Sequence, residues 1–316
     1  MKRIALVIPC YNEEGSLPHT LRALIEARKK IPKAYHADII FVNDGSADTT
    51  EKLLEEASRE HDFIYYRSFA RNVGHQSALR AGLNAAADYD AVVMLDADLQ
   101  HPPELIPDMI KQWEAGYKIV QMIRNDSTSE AGMLQYIRSR GYYWVLTAIS
   151  DIKLEYGASD FRLIDGSVAK QVAQSPERHL FLRGYFAWMP VSRTTINYKP
   201  NKRIAGTTKY TLRKLLDLAY KSILQFSEKP LRMAVTLGLA IAFASIVYGV
   251  VLIALYVSGE HTVSGWTSLM VAMLFCFGVN FIILGIIGHY LAHSLSIQKQ
   301  RPEFVVAAEK LPPAQK

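Results

Sequence analysis

Cysteine is almost missing: two occur in 316 residues, Cys10 and Cys276. The first follows a strand-like run and the second lies inside an apolar segment, so no disulfide framework is implied. Neither a GxGxxG fingerprint nor a GxxxxGK[ST] loop occurs, which excludes two common glycine-rich phosphate cradles. The N-terminus, Met1-Lys2-Arg3, runs straight into a strand-like segment, has no apolar h-region and does not read as a signal peptide. Charge is missing from two long stretches, Met233 to Val257 and Gly265 to Gly288, of about 25 and 24 residues. Each exceeds the roughly 20 residues a helix needs to cross a bilayer.

Half of the chain is hydrophobic, yet nearly all the charge lies before Arg232, so a soluble head precedes a membrane part. The net charge of +6 suits nucleic acid or, alternatively, an anionic membrane surface or phosphate-bearing substrate. With membrane segments present, the second reading is preferred and no nucleic-acid partner is expected. The loop between the spans has no Lys or Arg, whereas Lys229 and Arg232 precede the first and Lys299 and Arg301 follow the second. The positive-inside rule therefore places the head and both termini in the cytoplasm. Gly238, Gly249, Gly278 and Gly285 would let subunits pack closely as a homo-oligomer, or simply face lipid; Asn280 would bond to another helix.

The head alternates strands and helices. Ile4 to Pro9, Ala37 to Val42, Ile64 to Phe69, the run ending at Asp98, and Ile119 to Ile123 read as strands. Ser16 is placed to cap a helix to about Lys29, Asp48 or Thr49 opens a second to about His61, and Ala78 to Ala87 forms a third. Pro102-Pro103 starts a fourth. This order predicts an α/β fold with a mostly parallel sheet and helices on both faces, whose ligands sit at the carboxyl ends of the strands. The polar clusters fall there: Tyr11-Asn12-Glu13, Asp44, Arg71 to His75, and Asp96 to Gln100.

Within Val92-Val93-Met94-Leu95-Asp96-Ala97-Asp98-Leu99-Gln100, an apolar strand runs into two carboxylates one residue apart. In a regular strand both would point to one face. Hard oxygen ligands from Asp96, Asp98 and Gln100 suit Mg²⁺ or Mn²⁺, which commonly bridges carboxylates to substrate phosphates. The plainer reading is a solvated strand end. A nucleotide, if bound, would be held mainly by side chains and the metal. Residues 133–150 and 212–226 mix basic with aromatic and aliphatic residues, which suits helices lying on a membrane or packing on the core; the second lies immediately before the spans, which favours the interface.

In order along the chain come Pro9-Cys10-Tyr11-Asn12-Glu13-Glu14, Asn43-Asp44-Gly45-Ser46, Arg71-Asn72-Val73-Gly74, Asp96-Ala97-Asp98-Leu99-Gln100, Ser159-Asp160-Phe161-Arg162-Leu163, Pro176-Glu177-Arg178, Arg203-Ile204-Ala205-Gly206 and Lys209-Tyr210. This set resembles the family 2 glycosyltransferases of GT-A fold, and within them the polyprenyl-phosphate group that includes bactoprenol glucosyltransferases and dolichol-phosphate mannose synthase. The resemblance implies that Pro9, Tyr11, Glu13 and Asp44 hold the nucleotide, while Asp96, Asp98 and Gln100 engage a divalent metal. It places Asp160 near the reacting sugar and Arg203 and Lys209 on a loop closing over phosphates. Arg124, Arg138 and Arg140 are candidates for the acceptor phosphate, since guanidinium binds phosphate bidentately; surface pairing or headgroup contact is the alternative for each.

A Gln-x-x-Arg-Trp motif is missing around Leu180 to Tyr185, so one sugar per cycle is expected. The end of the second span departs from the Gly-Glu-Tyr-Ile-Gly-Arg of related members at Gly288-His289-Tyr290-Leu291-Ala292-His293. The implied activity is inverting transfer from a nucleotide sugar, with UDP-glucose expected, to undecaprenyl phosphate at the cytoplasmic face of a bacterial inner membrane, for modification of a cell-surface glycan such as the lipopolysaccharide O-antigen. UDP-GlcNAc, GDP-mannose or a UDP-aminoarabinose derivative are alternative donors. A transporter of the lipid-linked sugar and a non-catalytic nucleotide-sugar-binding module are readings of another class. The expected division is a head over 1–210, an interfacial helix over 211–230, two spans over 231–295 and a tail over 296–316.

Overall fold

The computed structural model describes residues 1–125, 155, 157–177, 180–201, 227–258 and 265–313. The expected interfacial helices over 133–150 and 212–226, with Arg138, Arg140, Arg203 and Lys209, lie outside the described residues.

Among the described residues eight strands form one sheet: β1 (Lys2–Cys10), β2 (Tyr35–Asn43), β3 (Ile64–Phe69), β4 (Ala91–Met94), β5 (Ile119–Arg124), β6 (Ala158–Asp165), β7 (Arg193–Tyr198) and β8 (Val306–Lys310). Their order is β7-β5-β6-β4-β1-β2-β3-β8. Neighbours β4-β1-β2-β3 are parallel, and β5 is parallel to β7. Only β6 and β8 run against the rest. The sheet is thus mostly parallel, as the alternation of strands and helices predicts.

Burial on both faces explains the sequence of β1. Ile4, Leu6 and Ile8 pack into one apolar cluster, and Ala5 and Val7 into the other, all at 0% exposure. Side chains alternate between faces, so a strand covered twice must be apolar at every position. Helices α1 (Leu17–Lys30), α2 (Thr50–Glu60) and α4 (Ile106–Glu114) cover the first face through Leu24, Leu54 and Met109. The second face is covered by α3 (His75–Ala85), α5 (Gly166–Gln174) and α6 (Leu182–Trp188), through Leu79, Val172 and Phe186. Gly82 lets α3 approach β1: a Cβ there would lie 2.2 Å from Val7 Cγ1.

Several boundaries differ from expectation. The fourth strand stops at Met94, not Asp98, so the two carboxylates stand on the following loop. Helix α3 begins at His75, one turn before Ala78. Ser16 occupies the cap position of α1 without capping it; its hydroxyl instead donates to the Glu13 carboxylate. Pro103–Leu105 makes a short 3₁₀ turn before α4.

Beyond the head, α7 (Lys229–Val257) and α8 (Trp266–Gln298) span 29 and 33 residues. Both are long and apolar enough to cross a membrane. Leu239, Phe243, Phe275 and Phe281 on them are exposed. The start of α7 meets the last third of α8, where Tyr290 Oη donates to Ser227 O at 2.5 Å. After α8 the chain returns to the head, where β8 extends the sheet beside β3.

Candidate active site

The carboxyl ends of the parallel strands hold two polar groups. The first ties the loops after β1, β2 and β3. Gly45 turns with φ +63° and passes so close to the loop after β3 that a Cβ would lie 2.3 Å from the Arg71 carbonyl carbon. Asp44, 3% exposed, then accepts the Val73 and Gly74 amides at 2.7 and 2.9 Å and the Asn72 side chain at 2.9 Å. Burial raises its pKa above the ordinary carboxylate value, although those amides pull the other way. Asn12, in the left-handed region at φ 52°, receives Ala47 N–H on Oδ1 at 2.9 Å. Its own N–H donates to Ser46 Oγ, and that of Glu13 to Thr50 Oγ1, each at 2.9 Å. Tyr11 is exposed beside them, and Pro9 is buried in β1 opposite Val42.

The second group forms around the loop after β4. Leu99 takes φ 59°, a conformation costing an L residue roughly 1–2 kcal/mol. Gln100 N–H donates to Asp98 Oδ1 at 3.1 Å within the same loop. Asp96 N–H donates to His101 Nδ1 at 3.0 Å, which leaves the proton of a neutral ring on Nε2. His101, 6% exposed, is held by stacking on Phe161 with ring centres 5.1 Å apart. Asp96, Asp98 and Gln100 are half-buried.

Asp160, on β6, faces this loop. Arg183 clamps it from α6, with Nε 2.9 Å from Oδ1 and Nη2 2.8 Å from Oδ2. Arg162 Nη2 and Gln76 Nε2 each lie 3.4 Å from one of its oxygens. His75 Nε2 stands 3.5 Å from both Asp160 Oδ2 and Asp96 Oδ1. Burial opposes ionisation of Asp160, but Arg183 and His75 outweigh it and hold the pKa well below the usual carboxylate range. For His75, burial opposes protonation, yet Asp160 and Asp96 prevail and raise its pKa. Burial also lowers Arg162, 1% exposed, to about 10 despite Asp160.

The clusters expected at the strand ends, Tyr11 to Glu13, Asp44, Arg71 to His75 and Asp96 to Gln100, stand on one rim, and β6 adds Asp160 beside them. Arg124 ends β5 on the same side of the sheet, where its N–H donates to Gly157 O at 2.9 Å just before β6. Sequence reasoning gave no role to His101, Arg183, Gln76 or Arg162, and included His75 only within a polar run. His75, Gln76 and Arg183 act from elements far from Asp160 in the chain, where no spacing rule applies; Arg162 stands two positions from Asp160 on β6, and His101 five positions from Asp96 in one loop.

The oxygen donors fit a divalent cation. Asp96 Oδ1 is buried without a hydrogen bond, and Asp98 and Gln100 stand two and four positions along the same loop. Among the described residues no three His, Cys, Asp or Glu side chains are arranged as a metal cage. An incomplete carboxylate set of this kind is suited to an ion that takes its remaining ligands from substrate phosphates and water.

These features define an α/β protein with an acidic, arginine-clamped site at the strand ends. The sequence profile described as "Glycosyl transferase family 2" matches residues 5–171. The chain belongs to that family and is a glycosyltransferase. It is 34% identical over 308 residues to the "Prophage bactoprenol glucosyl transferase homolog" of Escherichia coli (strain K12), covering 98% of this chain and 99% of the relative. The "Bactoprenol glucosyl transferase" of Shigella phage SfV is 35% identical over 308 residues, with 98% and 99% covered. The "Uncharacterized glycosyltransferase YkcC" of Bacillus subtilis (strain 168) is 35% identical over 302 residues, with 96% and 92% covered. Among solved structures, the mannosyltransferase PcManGT from Pyrobaculum calidifontis, in complex with GDP-Man and Mn²⁺, is 15% identical, covers 95% of this chain and 88% of that one, and gives a TM-score of 0.48.

Proposed function

We propose that the chain transfers a single sugar, with inversion, from a nucleotide-sugar donor to a polyprenyl phosphate at the cytoplasmic face of a bacterial inner membrane. UDP-glucose is the first donor to test and undecaprenyl phosphate the first acceptor. The observation that carries this reading is the gathering of Asp96, Asp98 and Asp160 on one sheet rim, in a chain whose head is bonded to a pair of membrane-length helices. The names of the bactoprenol relatives support the lipid acceptor and the glucosyl group.

The loops holding Tyr11, Glu13 and Asp44 take the nucleoside, and Pro9 shapes the strand end beneath it. Asp96 and Asp98, with Gln100, would hold Mg²⁺ or Mn²⁺ on the donor side of the site. The ion, when bound, neutralises charge on the leaving diphosphate. Asp160 is a poor proton acceptor while Arg183 and His75 hold it ionised. That suits this acceptor, because a phosphate monoester is largely ionised at neutral pH, with a second pKa near 6. What the reaction asks of the protein is orientation of two anions, to which effective concentration contributes most. Asp160 balances the buried Arg162 and holds Arg183 and His75, both partly exposed, where an incoming phosphate can meet them. Arg124, Arg138 and Arg140 complete the acceptor side, and Arg203 and Lys209 close over the donor phosphates. Both termini and the head lie in the cytoplasm, with residues 211–230 along the interface.

Purified protein with undecaprenyl phosphate, Mn²⁺ and a panel of labelled nucleotide sugars tests the proposal. Label entering the lipid phase from one donor is the expected result and names that donor. No transfer from UDP-glucose, UDP-GlcNAc, GDP-mannose or a UDP-aminoarabinose derivative would overturn it in favour of a transport or binding role.

A further inference from the structure

One buried carboxylate, Glu303, ties the chain that leaves the second membrane-length helix to helix α3 of the head. After α8 the chain turns through Gln300, at φ 45°, and runs back along the head towards β8. On the way Glu303 meets α3. Its Oε1 accepts from Ser77 Oγ at 2.6 Å, and its Oε2 lies 3.1 Å from Arg80 Nη1. The Glu303 and Arg80 side chains are 8% and 13% exposed. Arg80 also donates to the carbonyls of Ser175 and Glu177 beyond α5. Next along the tail, Phe304 stacks on Phe69 at 4.7 Å, and Val305 O accepts Ala70 N–H at 2.9 Å.

The same helix carries two residues of the carboxylate site in its first turn. His75 stands between Asp96 and Asp160. Gln76 reaches Asp160 with Nε2 and accepts Leu182 N–H on Oε1 at 3.1 Å, at the start of the helix that carries Arg183. The first turn of α3 lacks a capping side chain, because its cap position is Gly74 at φ 108°. A serine or aspartate at such a position would accept an amide of the turn on its side chain. Here side chains at 77 and 80 are gripped from the tail while 75 and 76 face the site.

We propose that Glu303 is a positioning residue for sugar transfer. It fixes the first turn of α3, and through His75 and Gln76 it sets the placement of Asp96, Asp160 and the start of α6. The chain emerging from the membrane thereby determines the geometry of the site at the sheet rim. The kinetic part of this inference rests on the transfer reaction proposed above; the structural part does not.

Full-length Glu303→Gln, in lipid nanodiscs, keeps the size of the side chain and removes its charge. The expected result is a fall in kcat of roughly ten- to a hundredfold, the scale of a small misplacement of reacting groups, with the donor KM changed less than about twofold. Amide hydrogen exchange over 75–80 should quicken. Glu303→Asp should recover part of kcat. Glu309→Gln, which breaks a separate tail contact to Arg67, should leave kcat and the α3 amides as in the wild type. Wild-type kcat and exchange in Glu303→Gln would overturn the proposal, as would an equal loss in Glu309→Gln. Should Glu303→Gln fail to fold, Ser77→Ala and Arg80→Met remove the same contacts from the other side. Unchanged exchange and kcat in both would overturn it too. If the wild type transfers no sugar, the proposed function fails, and exchange at 75–80 still decides the role of Glu303.

Discussion

Two buried aspartates, each paired with arginine, sit at opposite ends of the sheet and do different work. Asp38, in the amino-terminal half of β2, is 1% exposed. It accepts from Arg3 Nη2 at 3.1 Å and from Tyr89 Oη at 2.6 Å, with His36 Nε2 at 3.1 Å from its other oxygen. The Arg3 guanidinium also lies over the Tyr89 ring, 4.2 Å from its centre. Burial and the bond to Asp38 push the Tyr89 hydroxyl well above its ordinary pKa. Asp160 at the other end is 3% exposed and faces two guanidinium groups, Arg162 and Arg183, with His75 shared between it and Asp96. Next to it Asp96 keeps a buried oxygen without a hydrogen bond. The amino end is a closed network and the carboxyl end an open one. Burial and pairing alone therefore do not mark a site; incompleteness does.

The strongest way to sharpen that contrast is to remove a carboxylate from the open end. Asp98→Ala should lower transfer by roughly a thousandfold, the scale set by losing one preorganised electrostatic stabiliser of the reaction. The protein should remain folded by circular dichroism, and chelation of divalent ions should abolish wild-type transfer reversibly. Asp38→Asn should do the reverse. Breaking a buried pair from one side costs about 3 kcal/mol in urea unfolding, while kcat of the folded protein stays within about twofold. A comparable loss of kcat in Asp38→Asn would erase the distinction between the two ends.

Acid separates Asp160 from an ordinary carboxylate. Its folded-state pKa is lowered, so it contributes stability that is fully present above its unfolded value of about 3.9 and is lost as pH falls through the folded value. Unfolding free energy followed from pH 7 downwards should hold its Asp160 contribution to about pH 4 and shed it below. Asp160→Asn should flatten that limb of the profile. An unchanged slope in the variant would mean that Arg183 does not hold the carboxylate in solution.

The parts legible from sequence were those governed by short-range rules. The apolar run Val92 to Leu95 could only be buried, and Pro9, Asn43-Asp44-Gly45 and Asp96 to Gln100 mark strand ends by composition. The strand at Val306–Lys310 was not legible, since its Val-Ala-Ala-Glu-Lys reads as a tail and pairs with β3 only because α8 brings it back. Likewise β6 lies between two unlike neighbours, and its Asp160 gains meaning from Arg183 and His75, 23 and 85 positions away in the chain. The regular-strand argument for Asp96 and Asp98 failed in its premise, because the ladder ends at Met94 and Leu99 turns left-handed. Partners chosen by loop closure leave no periodic trace.

The smallest effect belongs to the edge of the sheet. Arg67 Nε bonds Glu309 Oε2 at 2.7 Å across β3 and β8, with the glutamate 40% exposed. Water screens such a pair, so Glu309→Gln should cost less than about 1 kcal/mol of stability, and added salt should shrink the difference. Its cross-strand neighbours Ser68 and Ala308 keep β8 in register without it. A loss of several kcal/mol would show that β8 closes as a charge-dependent latch rather than as an ordinary edge strand, and would move the tail from the supporting frame into the open, incomplete half of the molecule.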